Sequence, residues 1–221
     1  MSASAEDFKR AAAIAAAEEI EDGMRLGLGT GSTVAHLLPA IAARGLTGLR
    51  CVATSVATER QAADLGIAIE PFSALTALDL AIDGADQIAP DGWIVKGGGG
   101  AHTREKIVAA AAARFVVIAD ESKVVERLAA PVPLELRAYG LPATLAARGA
   151  GGPTSVREGA PPSPDGGVIA DYAGDGLDDP AALAARLSAT PGVVDHGLFP
   201  PALTSEVIVA GPDGISRRRL S

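Results

Sequence analysis

The apolar and polar positions of this chain change period in an order that reads strand, helix, strand, helix. Residues 5–21 carry a helical spacing that stops near Asp22-Gly23. Met24 to Leu28 reads as a short apolar strand running into Gly29-Thr30-Gly31-Ser32-Thr33. From Val34 to Ala43 the helical period returns, with Val34, Leu37, Leu38 and Ile41 on one face. The spacing predicts a strand over 49–53, a helix over 58–65 stopped by Gly66, and strands over 67–69 and 78–82. Pro90-Asp91-Gly92 is a turn signal, followed by a short strand at 93–95, a helix over about 102–113 and a strand over 115–119. Strands alternating with helices imply a parallel sheet covered on both faces.

The character changes near Ala130-Pro131-Val132-Pro133. Strand (134–139), helix (141–148), strand (153–157), strand (167–172), helix (179–189) and strand (193–199) follow, which is a βαββαβ order. A last strand over 205–210 is spaced to return to the first domain. The expected fold is therefore α/β: a doubly wound, mostly parallel, Rossmann-like sheet from 1–130 plus 205–221. A smaller ferredoxin-like α+β domain covers 131–204.

Composition narrows the picture. Hydrophobic residues make up 48% but aromatics only 3%, so the core must be aliphatic. A net charge of −8 argues against non-specific nucleic-acid binding, and an anionic substrate would need local donors that outweigh the global field. Arg217-Arg218-Arg219 reads as a solvated terminus. The single cysteine, Cys51, excludes an intrachain disulfide or zinc cluster and reads as a small buried hydrophobe. No signal region is visible, and no run reaches the ~18 apolar residues of a membrane span. A soluble cytoplasmic protein is expected.

Three segments carry candidate chemistry. Strand, Gly/Ser/Thr turn and helix at Gly29 to Thr33 can present amides and hydroxyls to an anion. A dinucleotide site is the competitor, but the glycines at 27, 29 and 31 are spaced G-x-G-x-G, and the second strand ends in Thr54-Ser55 without a ribose-binding acid. Asp83-Gly84-Ala85-Asp86 sets two carboxylates after an apolar strand, where ligands of open α/β sheets sit. They suit sugar hydroxyls or proton transfer; the scattered His36, His102 and His196 show no metal-ligand spacing. Lys96 followed by four glycines makes a cationic, donor-rich cradle opening a helix that carries Glu105. A carboxylate base, a lysine with backbone donors and an anion grip supply what moving a proton between adjacent sugar carbons requires, without a metal.

These residues resemble ribose-5-phosphate isomerase of the A type. The matching stretches are Gly27-Leu-Gly-Thr-Gly-Ser-Thr33, Thr54-Ser55 with Thr58-Glu59, Asp83-Gly-Ala-Asp86, Lys96-Gly-Gly-Gly-Gly100, Arg104-Glu-Lys106 and Ala119-Asp-Glu-Ser-Lys123. Later echoes are Pro191-Gly-Val-Val194, Gly197-Leu-Phe199 and Gly211-Pro-Asp-Gly214. The resemblance implies interconversion of ribose 5-phosphate and ribulose 5-phosphate, a pentose phosphate pathway step, through an enediolate. It implies Glu105 as the base, with Asp83, Asp86 and Lys96 for ring opening and enediolate stabilisation. It places substrate contacts at Thr30, Gly31, Ser32, Thr33, Asp83, Gly84, Ala85, Asp86, Lys96, Gly97, Gly98, Gly99 and Lys123, with Lys9 near the phosphate. No cofactor or metal, a small sugar phosphate as partner, and a homodimer or homotetramer are implied as well.

Three features depart from the family pattern. Gln87 stands where Glu is usual, His102-Thr103 where a small or aliphatic residue and then Thr or Leu is expected, and Pro200-Pro-Ala-Leu-Thr204 replaces an Asn/Arg-containing loop. An exposed or capping His102 is expected, a substrate-facing donor being the alternative. Two other classes compete. A sugar-phosphate sensor would need a DNA-binding module, for which the ~20 residues before the first strand leave no room. A CoA-transferase-like enzyme would use a carboxylate as nucleophile.

Overall fold

The computed structural model describes residues 4–146 and 153–220. In chain order its elements begin with α1 (Ala5–Ala17), β1 (Arg25–Leu28), α2 (Ser32–Ala43), β2 (Arg50–Ala53), α3 (Val56–Asp64) and β3 (Leu78–Asp83). Next come β4 (Gln87–Ile88), β5 (Ile94–Val95), α4 (His102–Ala111), β6 (Ala112–Asp120), β7 (Val132–Leu136) and α5 (Leu141–Ala146). The chain continues with β8 (Thr154–Val156), β9 (Val168–Tyr172), α6 (Pro180–Ser188), β10 (Val193–His196), β11 (Leu198–Phe199), β12 (Glu206–Gly211) and β13 (Gly214–Arg219).

Two compact units emerge. The first comprises Met1–Ala85, Glu105–Val124 and Pro201–Ser221; the second comprises Asp86–Arg104 and Val125–Pro200. The chain's pattern predicts boundaries at 130/131 and 204/205, with 86–104 in the first domain.

The first unit is a six-stranded sheet in the order β13-β12-β6-β3-β1-β2. The pairs β12–β6, β6–β3, β3–β1 and β1–β2 are parallel, and only the β12–β13 hairpin is antiparallel. Its core is aliphatic, as the composition requires: Leu26, Leu28, Leu80, Ile82, Val116, Ile118 and Ile208 from the strands meet Ala12, Ala16, Leu37 and Leu38 from the helices. Alanines let α1 lie close to the sheet. A capping box starts that helix, with Asp7 N donating to Ser4 Oγ (3.3 Å) and Ser4 N to Asp7 Oδ2 (2.9 Å). Cys51 is buried in this core, and burial pushes its thiol up to about 11. The chain leaves β1 toward β2 on one side and returns to β3 on the other, so the strand order reverses at β1, where such sheets place their ligands.

The second unit holds a four-stranded antiparallel sheet in the order β10-β7-β9-β8. With α5 and α6 this is the ferredoxin-like βαββαβ arrangement expected. Leu134, Leu136, Tyr172, Leu183 and Leu187 form its core. A small antiparallel sheet, β11-β5-β4, completes the unit.

Four expectations need correction or limitation. Residues 67–69 form no strand: between the Gly66 turn and Pro71 only one bridge forms, Cys51 to Ile69. The strand expected over 193–199 divides at Gly197 into β10 and β11, which belong to different sheets. The Arg217-Arg218-Arg219 run, largely exposed as expected, is the end of β13 and not a loose tail, and Arg217 pairs with Glu19 and with Glu206 (3.4 Å). A cationic edge strand of this kind resists further pairing. Positions 147 and 148 of the helix expected over 141–148 lie outside the described residues.

Candidate active site

In the first unit, β1 delivers Gly29 to the end of β3. A side chain at Gly29 would begin 2.0 Å from Asp83 Oδ1, so only glycine lets these strand ends meet. The Asp83 carboxylate is 2% exposed, and its Oδ1 accepts the amides of Thr30 (3.0 Å) and Gly84 (2.7 Å). Buried hydroxyls brace the same turn. Thr30 Oγ1 lies 2.7 Å from Thr54 Oγ1, and Thr58 Oγ1 donates to the Gly29 carbonyl at 2.7 Å. Ser55 caps α3 by accepting the Thr58 amide.

Gly31 is the N-cap of α2, with φ +115, and supplies no capping oxygen. The first amides of α2 and the Ser32 and Thr33 hydroxyls lie together at a helix start, an arrangement that can receive an anion. Lys9 lies on α1 and pairs with Glu6 (2.6 Å), which also takes His36 Nε2 of α2 at 2.9 Å.

Glu105, also in this unit, sits in the first turn of α4 and is 4% exposed. Lys123 ends a 3-10 turn, Glu121–Lys123, that follows β6. Asp120 caps that turn, accepting the Ser122 amide at 3.0 Å and the Ser122 hydroxyl.

In the second unit, the loop after β5 carries the remaining candidates. Lys96 is 3% exposed; its amide donates to the Gly197 carbonyl at 2.9 Å. Its ammonium lies 5.6 Å from the centre of the Phe199 ring, a cation–π distance. Gly97 has φ +109 and leaves no room for a side chain, which would begin 2.7 Å from His102 Nδ1. Gly98 N donates to Asp86 Oδ2 at 2.8 Å, and Gly100 N closes the turn on the Gly97 carbonyl at 3.0 Å.

The start of α4 is tied down by Thr103 Oγ1 to Glu135 Oε2 (2.5 Å) and by a two-point pair of Arg104 with Asp165. Arg104 holds the Asp165 carboxyl below its usual range. Both bonds take the neighbours of Glu105 to structural partners.

The structure thus joins Thr30 to Asp83 in one unit and Asp86 to Gly98 in the other. It corrects His102, which is fully buried under the glycine turn rather than exposed. It also explains Gln87, whose Nε2 donates to Ala129 O and whose Oε1 accepts Ala129 N, both at 2.7 Å. A carboxylate there would face the Ala129 carbonyl with no donor. Sequence reasoning gave no role to Thr54 and Thr58, and it missed Arg157, which pairs with Asp171 and reaches the carbonyls of Gly97 and Gly98. Thr54 and Thr58 do stand in stretches that carry the family resemblance; nothing local marks Arg157.

The chain is similar to known proteins. The family profile described as Ribose 5-phosphate isomerase A (phosphoriboisomerase A) matches residues 50–214. Ribose-5-phosphate isomerase A of Rhodopseudomonas palustris (strain BisB18) is 45% identical over 226 residues, covering 96% of this chain and 97% of that protein. The crystal structure of ribose 5 phosphate isomerase A from Neisseria gonorrhoeae superposes with a TM-score of 0.94 at 30% identity, covering 100% of both chains. A D-ribose-5-phosphate isomerase solved in complex with phospho-erythronic acid gives 0.92 at 31% identity, covering 98% of this chain and 100% of that one. By the matched family profile and by relatives of this identity along nearly its whole length, the chain belongs to the ribose 5-phosphate isomerase A family.

Proposed function

We propose that this chain interconverts ribose 5-phosphate and ribulose 5-phosphate, with Glu105 as the base. The observation that carries the reading is the likeness, over nearly the whole chain, to an isomerase solved with phospho-erythronic acid. That ligand is a four-carbon phosphosugar acid, whose carboxylate carries charge where an enediolate would.

Glu105 removes the C2 proton of the open-chain aldose and returns it to C1. Meanwhile O2 loses its proton and O1 gains one, so the aldehyde becomes an alcohol and C2 a ketone. Glu105 is 4% exposed, so its carboxylate is largely kept from bulk water. Lys96 and the Gly97 and Gly99 amides stabilise the enediolate oxygens, while the Gly98 amide holds Asp86. Asp83 and Asp86 handle ring opening and the sugar hydroxyls. The α2 start, Thr30 to Thr33, holds the phosphate with Lys123.

The reading needs no metal. Among the described residues no three His, Cys, Asp or Glu side chains gather as a metal site requires. We also take the enzyme to be a cytoplasmic homodimer or homotetramer. Light scattering tests the assembly, and among the described residues no helix is long and apolar enough to cross a membrane.

The functional test is a panel of pentose and hexose phosphates offered to purified, EDTA-treated protein. Ribose 5-phosphate should be converted fastest. Activity lost with EDTA and restored by zinc would overturn the metal-free mechanism.

A further inference from the structure

A run of glycines has more backbone freedom than any other sequence, so ordering it costs conformational entropy. Donors that stabilise a transition state must be held before it forms. The loop after Lys96 therefore needs an external brace, and the second unit contains one.

Arg157 follows β8, and Asp171 of β9 grips its guanidinium at two points, Nε to Oδ2 (2.8 Å) and Nη2 to Oδ1 (2.6 Å). This fork fixes the guanidinium plane. The remaining nitrogen, Nη1, donates to Gly97 O (3.2 Å) and Gly98 O (2.9 Å). The Gly97–Gly98 peptide is then held at both ends, because its amide donates to Asp86 Oδ2 at 2.8 Å. The Gly98–Gly99 peptide is trans, so an oxygen turned toward Arg157 sends the Gly99 N–H to the opposite side. Gly98 and Gly99 are the exposed members of the loop. The Asp171 pair and the nearby Asp86 charge keep Arg157 firmly cationic.

We propose that Arg157 is a positioning residue of the isomerase: it fixes the carbonyls of Gly97 and Gly98 so that the loop after Lys96 presents its amides, and Asp86 its carboxylate, in one geometry. Arg157 acts through the loop and touches no substrate. The inference rests on the isomerase reading. A displaced loop should depress the chemical step more than substrate capture, since a misplacement of about 1 Å can cost on the order of a hundredfold.

The test is steady-state kinetics with ribose 5-phosphate on Arg157→Ala and Arg157→Lys, beside the unmodified enzyme. Competitor binding counts the folded sites. Arg157→Ala should lose about 30- to 100-fold in kcat per folded site with KM changed less than about threefold. Millimolar guanidinium should restore part of the rate. Lysine cannot fork Asp171 and reach both carbonyls, so Arg157→Lys should keep the fold yet lose about tenfold in kcat, which guards against an alanine variant that does not fold. Equal kcat per folded site in the Lys variant, or losses confined to KM, would overturn the role while leaving the isomerase reading intact. An inactive unmodified enzyme would overturn both.

Discussion

In the first unit the Asp83 carboxylate is held by amides, those of Thr30 and Gly84, whereas in the second unit the Asp86 carboxylate holds an amide, that of Gly98. The difference follows from what each carboxylate stands on. Asp83 ends a strand flanked by parallel partners on both sides, so its position is set by the sheet and the neighbouring turn wraps onto it. Asp86 is exposed, and the loop it meets is glycine, so it contributes order to its surroundings. One region depends on tight packing. The other depends on charged groups restraining a chain that would otherwise wander.

That contrast can be broken by adding the same methyl group to each region. Gly29→Ala would put Cβ 2.0 Å from Asp83 Oδ1, with no flexible atom free to yield. It should lose about a hundredfold or more in kcat/KM and about 1–3 kcal/mol of stability, read by assay and urea unfolding. In Gly98→Ala the Cβ lies 2.9 Å from the exposed Asp86 carboxylate, which can rotate aside. Stability should then move by no more than about 0.5 kcal/mol, far less than in the Gly29 variant, and the loss should fall on kcat/KM as Asp86 leaves its bonded position. Equal losses would erase the distinction.

A smaller effect is expected at Gln87, which uses both a donor and an acceptor on Ala129. Gln87→Glu should cost about 1 kcal/mol at neutral pH and recover as the new acid is protonated, with kcat little changed. Calorimetry at pH 7 and pH 4 checks this. The smallest effect concerns Asp79, held down at about 2 from an ordinary 3.8 by its side-chain and backbone bonds to Arg25. The native carboxyl binds a proton less readily than the unfolded one. Its contribution is therefore complete above about 3.8 and lost as pH falls toward about 2. Asp79→Asn should flatten the acid limb of a stability–pH curve slightly, the pair being partly exposed.

Much of the first region was legible because its signals are local. A strand period, a glycine-rich turn and Asp83 at a strand end all lie within short windows, and the βα alternation fixed the parallel sheet. The βαββαβ order of the second unit was legible for the same reason. What escaped depends on distant partners. Arg157 lies about 60 residues from the loop it grips, Gln87 answers to Ala129, and Arg217 to Glu19. His102 reads as a polar helix start, yet the side chain missing at Gly97 is what leaves it room. The strand expected at 67–69 failed because two breakers left too few residues to pair.

In the proposed reaction a buried carboxylate on α4 moves the proton. The most direct measurement is ketose formation from ribose 5-phosphate by the unmodified protein and by Glu105→Gln, with binding of a four-carbon phosphosugar acid followed in parallel. The account predicts rapid conversion by the former, and by the latter near-normal binding with kcat lowered by about 10²–10⁴. A Glu105→Gln enzyme with undiminished kcat would contradict it.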